Sequence, residues 1–222
     1  MSQDHRSPVL KAPETTCRLV LVRHGAVPGI APPTFRGTQE LALTEAGQQQ
    51  ARLTGRYLAS LDDVKTVLSS PLGRCSDTAS CLARPHGLSP ILLPELTDMN
   101  YGAWQGRSHE EVQSADPKAY DAWMTTPDIA VIPDGDTLDA VAVRVMTALS
   151  PIVASADGTI IVVTHDSIIR VVILSILELP LRRYWHFRSD PCGISAFEAK
   201  GAGWLVQHIN ECGHLHPGGA ST

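Results

Sequence analysis

The chain has no excess of basic residues. It carries 18 Lys and Arg against 23 Asp and Glu, a formal charge of −5 at neutral pH. A mildly acidic protein lacks the broad basic surface that sequence-independent nucleic-acid binding requires. An anionic ligand must then be met by a local cluster of Arg and His, because the overall field repels it. Cysteine is also sparse. Cys17, Cys75, Cys81, Cys192 and Cys212 are scattered, odd in number and form no C-x-x-C pair, which fits free thiols in a reducing compartment better than a disulfide framework. No apolar run reaches the roughly 18 residues of a membrane-spanning helix, so no membrane partner is expected. Residues 1–17 are polar, contain Pro8 and Pro13, and lack the apolar stretch of a secretion signal, so a cytoplasmic location is expected. There is no Walker loop and no G-x-S-x-G elbow, and none of the nine histidines sits in H-E-x-x-H, so no cofactor and no metal site is implied.

Apolar residues make up 43% of the 222 positions, enough for one sizeable core. Residues 1–17 read as a flexible extension, 18–212 as one domain and 213–222 as a flexible tail. Within the domain, strand and helix signals alternate. Leu19–Val22, Thr66–Leu68, Ile91–Leu93 and Thr159–Val163 are short apolar runs that predict buried strands. Thr44 and Thr137 are placed to cap helices, and Ser70-Pro71 predicts another helix with Pro at its first position. Ser167 to Leu177 is apolar nearly all round, as a buried helix would be. Ile194–Glu198 and Trp204–Ile209 predict a late hairpin. The expected fold is a three-layer α/β/α sandwich: a mostly parallel sheet, helices on both faces and an antiparallel edge strand.

Chemistry is concentrated where strands end. The first run leads into Arg23-His24-Gly25, the fourth into Thr164-His165-Asp166, and the second into Ser69-Ser-Pro-Leu-Gly-Arg74. In open α/β sheets, ligands sit beyond the carboxyl ends of strands. Two imidazoles and two guanidiniums gathered there form a credible cage for a phosphoryl group, since Arg forks bind phosphate oxygens bidentately. Cys17 and Arg23 have the spacing of a cysteine-dependent phosphatase loop, but the residues between them are Arg-Leu-Val-Leu-Val. Such a run forms an extended strand, not the loop of converging N–H groups that such an enzyme needs. The Cys212-Gly-His214-Leu-His216 cluster falls at the expected tail and is read as adventitious. Phe35, Trp104, Trp123 and Trp185 either line a substrate pocket or belong to ordinary core and rim.

The ordered series Leu21-Val-Arg-His-Gly25, Leu43-Thr-Glu-Ala-Gly47 with Gln50-Ala51, Ser69–Arg74 with Thr78-Ala79, Glu95-Leu96 with Gly102-Ala-Trp104 and Gly106, Pro133-Asp-Gly135 and Val162-Val-Thr-His165 resembles the histidine phosphatase superfamily, the phosphoglycerate-mutase-like fold. It covers about residues 18–212. Trp185-His-Phe-Arg188 followed by Ser195 is similar to the α-ribazole phosphatase branch. The resemblance implies that His24 is the nucleophile and that Arg23, Arg74 and His165 hold the phosphoryl oxygens. Arg36 falls where that family often has a further substrate contact; as a residue alone it reads equally well as a solvated loop Arg. The usual general acid and base of the family is a Glu three residues after the position of Glu95. Here that position is Asp98, one methylene shorter, with Glu95 as the fallback. Asp136-Thr137 replaces the common Glu-Ser, which keeps the helix cap and puts a substrate contact by the carboxylate in doubt.

The resulting expectation is a metal-independent phosphomonoester hydrolase acting on a small phosphorylated metabolite. A phosphoglycerate-mutase-type phosphotransferase, a phosphoprotein phosphatase and a non-catalytic scaffold that keeps the fold are the alternatives. The short stretch between Gly106 and Pro133 offers no long lid and favours hydrolysis over transfer. A homodimer is compatible with the sequence.

Overall fold

The computed structural model describes residues 8–30, 32–201 and 203–216. Its centre is a sheet in the order β3-β2-β4-β1-β5-β6. The strands are β1 (Cys17–Arg23), β2 (Val64–Ser69), β3 (Ile91–Leu92), β4 (Gly158–Thr164), β5 (Ile194–Lys200) and β6 (Gly203–Glu211). The first four in this order run parallel, and β5 runs against β1 and β6. The antiparallel strand therefore lies one place in from the edge, with β6 outermost. The α/β class and the layered sheet are those expected from the sequence.

Alternation along the strands explains the layers. Leu19, Leu21, Ile160, Val162 and Phe197 face one core, shared with α5 (Leu138–Ala154) and α6 (Asp166–Ile176). Val20, Val22, Ile161, Val163 and Ala196 face the other, shared with α1 (Glu45–Leu58) and α2 (Gly73–Ala83). Every residue of β4 is buried, as the continuous Gly-Thr-Ile-Ile-Val-Val-Thr run requires. Thr44 and Thr137 cap α1 and α5, each hydroxyl accepting a main-chain N–H from the first turn. Two short helices, α3 (His109–Ala115) and α4 (Pro117–Thr125), fill the stretch that reads as weakly apolar.

Three expectations change. Helix α2 begins at Gly73 and not at Pro71, with Leu72 in the cap position and no cap from its side chain. Instead the Glu40 carboxylate, from a distant loop, accepts the Gly73 N–H at 2.8 Å. Part of the leading segment read as flexible is packed down: Leu10 is 1% exposed, and its carbonyl accepts the Trp204 indole N–H at 2.8 Å. Likewise His214 pairs with the Thr54 hydroxyl at 2.9 Å and stacks on Tyr57, so the stretch from 213 is anchored as far as this residue. The rest of the expected extension and tail, residues 1–7 and 217–222, lies outside the described residues.

Candidate functional site

The register of the central strands builds the site. Strand β1 pairs with β4 from Cys17–Gly158 to Arg23–Thr164, so both end level. The next residues, His24 and His165, emerge side by side with ring centroids 5.2 Å apart. The chain leaves β1 towards α1 on one face of the sheet and leaves β4 into α6 on the other. That divergence opens the crevice expected at a switch point. On the far side of β4, the Ser70 N–H extends the ladder to the Val163 carbonyl at 3.0 Å, which sets Arg74 at the start of α2 beside both histidines.

His24 is 2% exposed. Its Nδ1 lies 2.7 Å from the Gly25 carbonyl oxygen. A carbonyl only accepts, so Nδ1 carries a proton and the lone pair is on Nε2. Burial first, then the positive neighbours His165, Arg23 and Arg74, holds this imidazole well below the usual histidine range. His165 is buried and shifted down in the same way, by burial and then by Arg74 and Arg23. Its Nε2 sits 2.8 Å from the Ser70 hydroxyl.

The turn after His24 is held by residues that the sequence motifs also contain. Thr78 accepts the Gly25 N–H at 3.1 Å, and Gln50 accepts the Ala26 N–H at 2.9 Å. Gly47 packs directly beneath; a Cβ there would meet the Ala26 oxygen at 2.1 Å.

Arg74 is fully buried, and its guanidinium donates to the Gly37 and Gln39 carbonyls at 2.7 Å each. Arg23 donates to the Ser189 carbonyl. The Nε of each guanidinium is buried with no partner among the described residues. Buried cationic donors of this kind are suited to pairing with an oxyanion.

Asp98 arrives on the loop that follows the turn at Pro94–Leu96. That loop is pinned from two sides. The Thr164 hydroxyl donates to the Leu96 carbonyl at 2.7 Å, and Arg144 of α5 donates to the Thr97 carbonyl at 2.9 Å. Farther along, Asp136 accepts the Asn100 N–H at 2.9 Å, which gives the Asp of the Asp136-Thr137 departure a structural role. One Asp98 oxygen accepts from the Met99 N–H at 2.9 Å and from the Ser167 hydroxyl. The other lies 3.4 Å from Arg74 and 3.7 Å from His165 Nδ1. Burial raises the Asp98 carboxyl above the ordinary aspartate range, against the pull of Arg74 and of its hydrogen-bond donors. Glu95 does not line the cleft.

Arg23, His24, Arg36 and Asp98 open into a cleft of about 200 Å³. His165 and Arg74 lie just behind its surface, both fully buried. Arg36 points into the cleft and donates to the Gly29 carbonyl. Phe35, Trp123 and Trp185 form aromatic walls, whereas Trp104 stands behind Phe35 at 5.1 Å and does not line the space. Sequence reading missed Ser70, Ser167, His109 and Asp166. His109 stacks on Phe35 at 4.2 Å, and the Asp166 carboxylate lines the cleft while accepting from Arg170 at 2.8 Å. Ser70 and Asp166 had only their place inside the quoted segments as a signal, and Ser167 is one step beyond.

Cys17 lies at the opposite end of β1 from Arg23, about 20 Å away at the strand rise of roughly 3.3 Å per residue. Its place at the far end of the strand separates it from the cleft, and burial pushes its thiol up to about 11. Among the described residues no group of three or more His, Cys, Asp or Glu is arranged to hold a metal ion, and no helix is long and apolar enough to cross a membrane.

Comparison with known proteins agrees with this geometry. The family model of the histidine phosphatase superfamily (branch 1) matches residues 19–212. The adenosylcobalamin/α-ribazole phosphatase of Salmonella typhimurium is 32% identical over 174 residues, covering 78% of this chain and 86% of that protein. The crystal structure of the α-ribazole phosphatase from Shigella flexneri superposes with a TM-score of 0.76 at 27% identity, covering 87% of this chain and 96% of that one. A bifunctional protein of Mycobacterium tuberculosis is 30% identical over 204 residues, 90% of this chain but 56% of that relative, so the chain spans about half its length. With the family model spanning nearly the whole domain and the motif residues meeting in one cleft, the chain belongs to the histidine phosphatase superfamily, branch 1.

Proposed function

We propose that this protein hydrolyses the phosphomonoester of a small metabolite through a phosphohistidine on His24. The observation that carries the reading is the orientation of His24: Nδ1–H is committed to the Gly25 carbonyl, which leaves Nε2 free, and burial with positive neighbours favours the neutral ring. Arg23 and Arg74 supply the positive field that a phosphoryl group in flight requires, and His165 stands beside them as a neutral imidazole. Arg36 is positioned to contact the same phosphate or the adjoining part of the substrate.

In the first step Nε2 attacks phosphorus, the N–P bond forms and the ester P–O bond breaks. Asp98 gives its proton to the departing alkoxide. In the second step the Asp98 carboxylate takes a proton from water as its oxygen attacks phosphorus, the N–P bond breaks, and His24 and protonated Asp98 are restored. The raised Asp98 carboxyl supports its starting the cycle protonated. The arginines provide the charge stabilisation, so the reaction is expected to need no metal.

Hydrolysis is favoured over a mutase reaction by the short α3–α4 segment over the cleft, a small cover for a site that must exclude water. The test is phosphate release from a panel of phosphomonoesters with EDTA present throughout, paired with acid-quench trapping of labelled phosphoenzyme. Turnover under EDTA and label that is lost in His24→Ala are expected. A folded His24→Ala variant that retains substantial turnover would falsify the assignment of the nucleophile.

A further inference from the structure

The carboxyl of Asp98 has to present one particular oxygen to the leaving group, yet aspartate is short and its Cβ–Cγ bond rotates freely in open space. The structure shows what stops it. From the joined elements around it come Arg74 at the start of α2, His165 at the end of β4, Arg36 from the loop after β1, and Ser167 in the first turn of α6. Ser167 is 2% exposed and donates its hydroxyl to Oδ1 of Asp98. The same Oδ1 accepts the Met99 N–H at 2.9 Å. Both donors converge on one oxygen: Met99 from the carboxyl's own loop, Ser167 from a helix 69 residues later in the chain.

We infer that Ser167 is the positioning residue of the acid–base group: by tying up Oδ1 it fixes the carboxyl plane and leaves Oδ2 as the oxygen that carries and transfers the proton. An oxygen that already accepts two hydrogen bonds is a poor place for a proton, whereas among the described residues Oδ2 accepts one long hydrogen bond, from Arg74 at 3.4 Å. Met99 alone, a main-chain donor on the residue after Asp98, moves with the loop it is meant to orient. Ser167 is anchored in a helix whose next turns are buried throughout the core. Its hydroxyl is therefore the fixed point against which the shorter carboxylate is set. This role rests on Asp98 being the general acid and base.

The test is a double-mutant cycle. Ser167→Ala and Ser167→Gly, which both lose the hydroxyl, are each made with Asp98 intact and with Asp98→Asn. Propyl phosphate, whose leaving alkoxide must be protonated, is compared with nitrophenyl phosphate, whose leaving group barely needs it. With Asp98 intact, each Ser167 variant is expected to lower kcat on propyl phosphate about tenfold, the loss of one hydrogen bond to a charged group, and to move nitrophenyl phosphate far less. The basic limb of its pH profile should also shift upward, because the carboxylate has lost a donor. In the Asp98→Asn background the Ser167 effect should vanish. Equal slowing of both substrates, or the same loss in the Asp98→Asn background, overturns the role of Ser167 alone. If Asp98→Asn itself fails to discriminate between the substrates, the assignment of Asp98 is overturned and that of Ser167 with it.

Discussion

At the scale of single residues, the site is a set of side chains whose charges are shifted away from their values in water, and the shifts have opposite consequences. The neutral form of His24 attacks, and burial with positive neighbours favours that form. Its limb of the profile, where activity rises with pH, should therefore lie well below the ordinary histidine range. The protonated form of Asp98 donates, and burial favours that form. Activity on alkyl phosphates should then fall as pH rises through the elevated Asp98 value. The expected profile of kcat/KM for propyl phosphate is a bell, its limbs belonging to the coupled site as a whole. Asp98→Asn should remove the falling limb and slow propyl phosphate about 10²- to 10⁴-fold, the usual worth of a positioned acid, with a much smaller effect on nitrophenyl phosphate. A falling limb that persists unchanged in that variant would assign it to another group. His24, Arg23, Arg74 and His165 were legible in the sequence because each lies at or shortly after a strand end, where the fold class itself says a ligand sits. Ser167 was not. Its sequence environment reads only as the start of a buried helix, and its partner Asp98 meets it through tertiary packing.

At the scale of elements, the loop after β1 is shaped by what packs under it. Gly47 lies in the first turn of α1, where Ala would ordinarily be the better helix former by about 1 kcal/mol. Here a Cβ would press on the Ala26 carbonyl oxygen at 2.1 Å and on its nitrogen at 2.7 Å, main-chain atoms that cannot swing aside. Overpacking of this kind costs roughly 1–3 kcal/mol, so Gly47→Ala is expected to destabilise the protein, not stabilise it. Thermal unfolding should show a lower Tm, and turnover should drop as the His24 turn is displaced. A higher Tm would mean that propensity outweighs the contact. The sequence gives the existence of α1, its cap and its inward face through Thr44 and the 3.6-residue period. It could not place the start of α2. Ser70-Pro71 has the local form of a helix start, but Ser70 is drawn into the sheet ladder and towards His165, and the cap comes from Glu40. Local propensity lost there to contacts between residues far apart in the chain. The same limit hid Leu10: the short stretch Val9-Leu10-Lys-Ala12 between two prolines is too brief to show a period, yet Leu10 fills a place in the core beside Trp204.

At the scale of the whole molecule, a protein of net charge −5 concentrates positive charge around one crevice. Arg23 and Arg74 are buried there with unpartnered Nε groups, and the charged forms of the two histidines are disfavoured. Folding holds these cations close together, and among the described residues Asp98 is the one carboxylate within 4 Å of either guanidinium, so a tetrahedral oxyanion in the cleft should stabilise the folded chain through binding that the unfolded chain cannot match. At a concentration about 100 times its Kd, inorganic phosphate or vanadate would add about 2.7 kcal/mol by mass action. For a domain of this size, that corresponds to a rise in Tm of roughly 5–10 °C. The rise should grow with the logarithm of anion concentration, and chloride at equal ionic strength should not reproduce it. Arg23→Met keeps most of the buried stem and removes the guanidinium, so it should cut the shift sharply. The control is built into the surface: Arg52, Arg56 and Arg84 line a separate open groove between α1 and α2. A shift of the same size in Arg23→Met and in the native chain would place the anion at such a surface site. A shift that depends on Arg23 ties the anion to the end of β1, where the strand register brings His24 and His165 together.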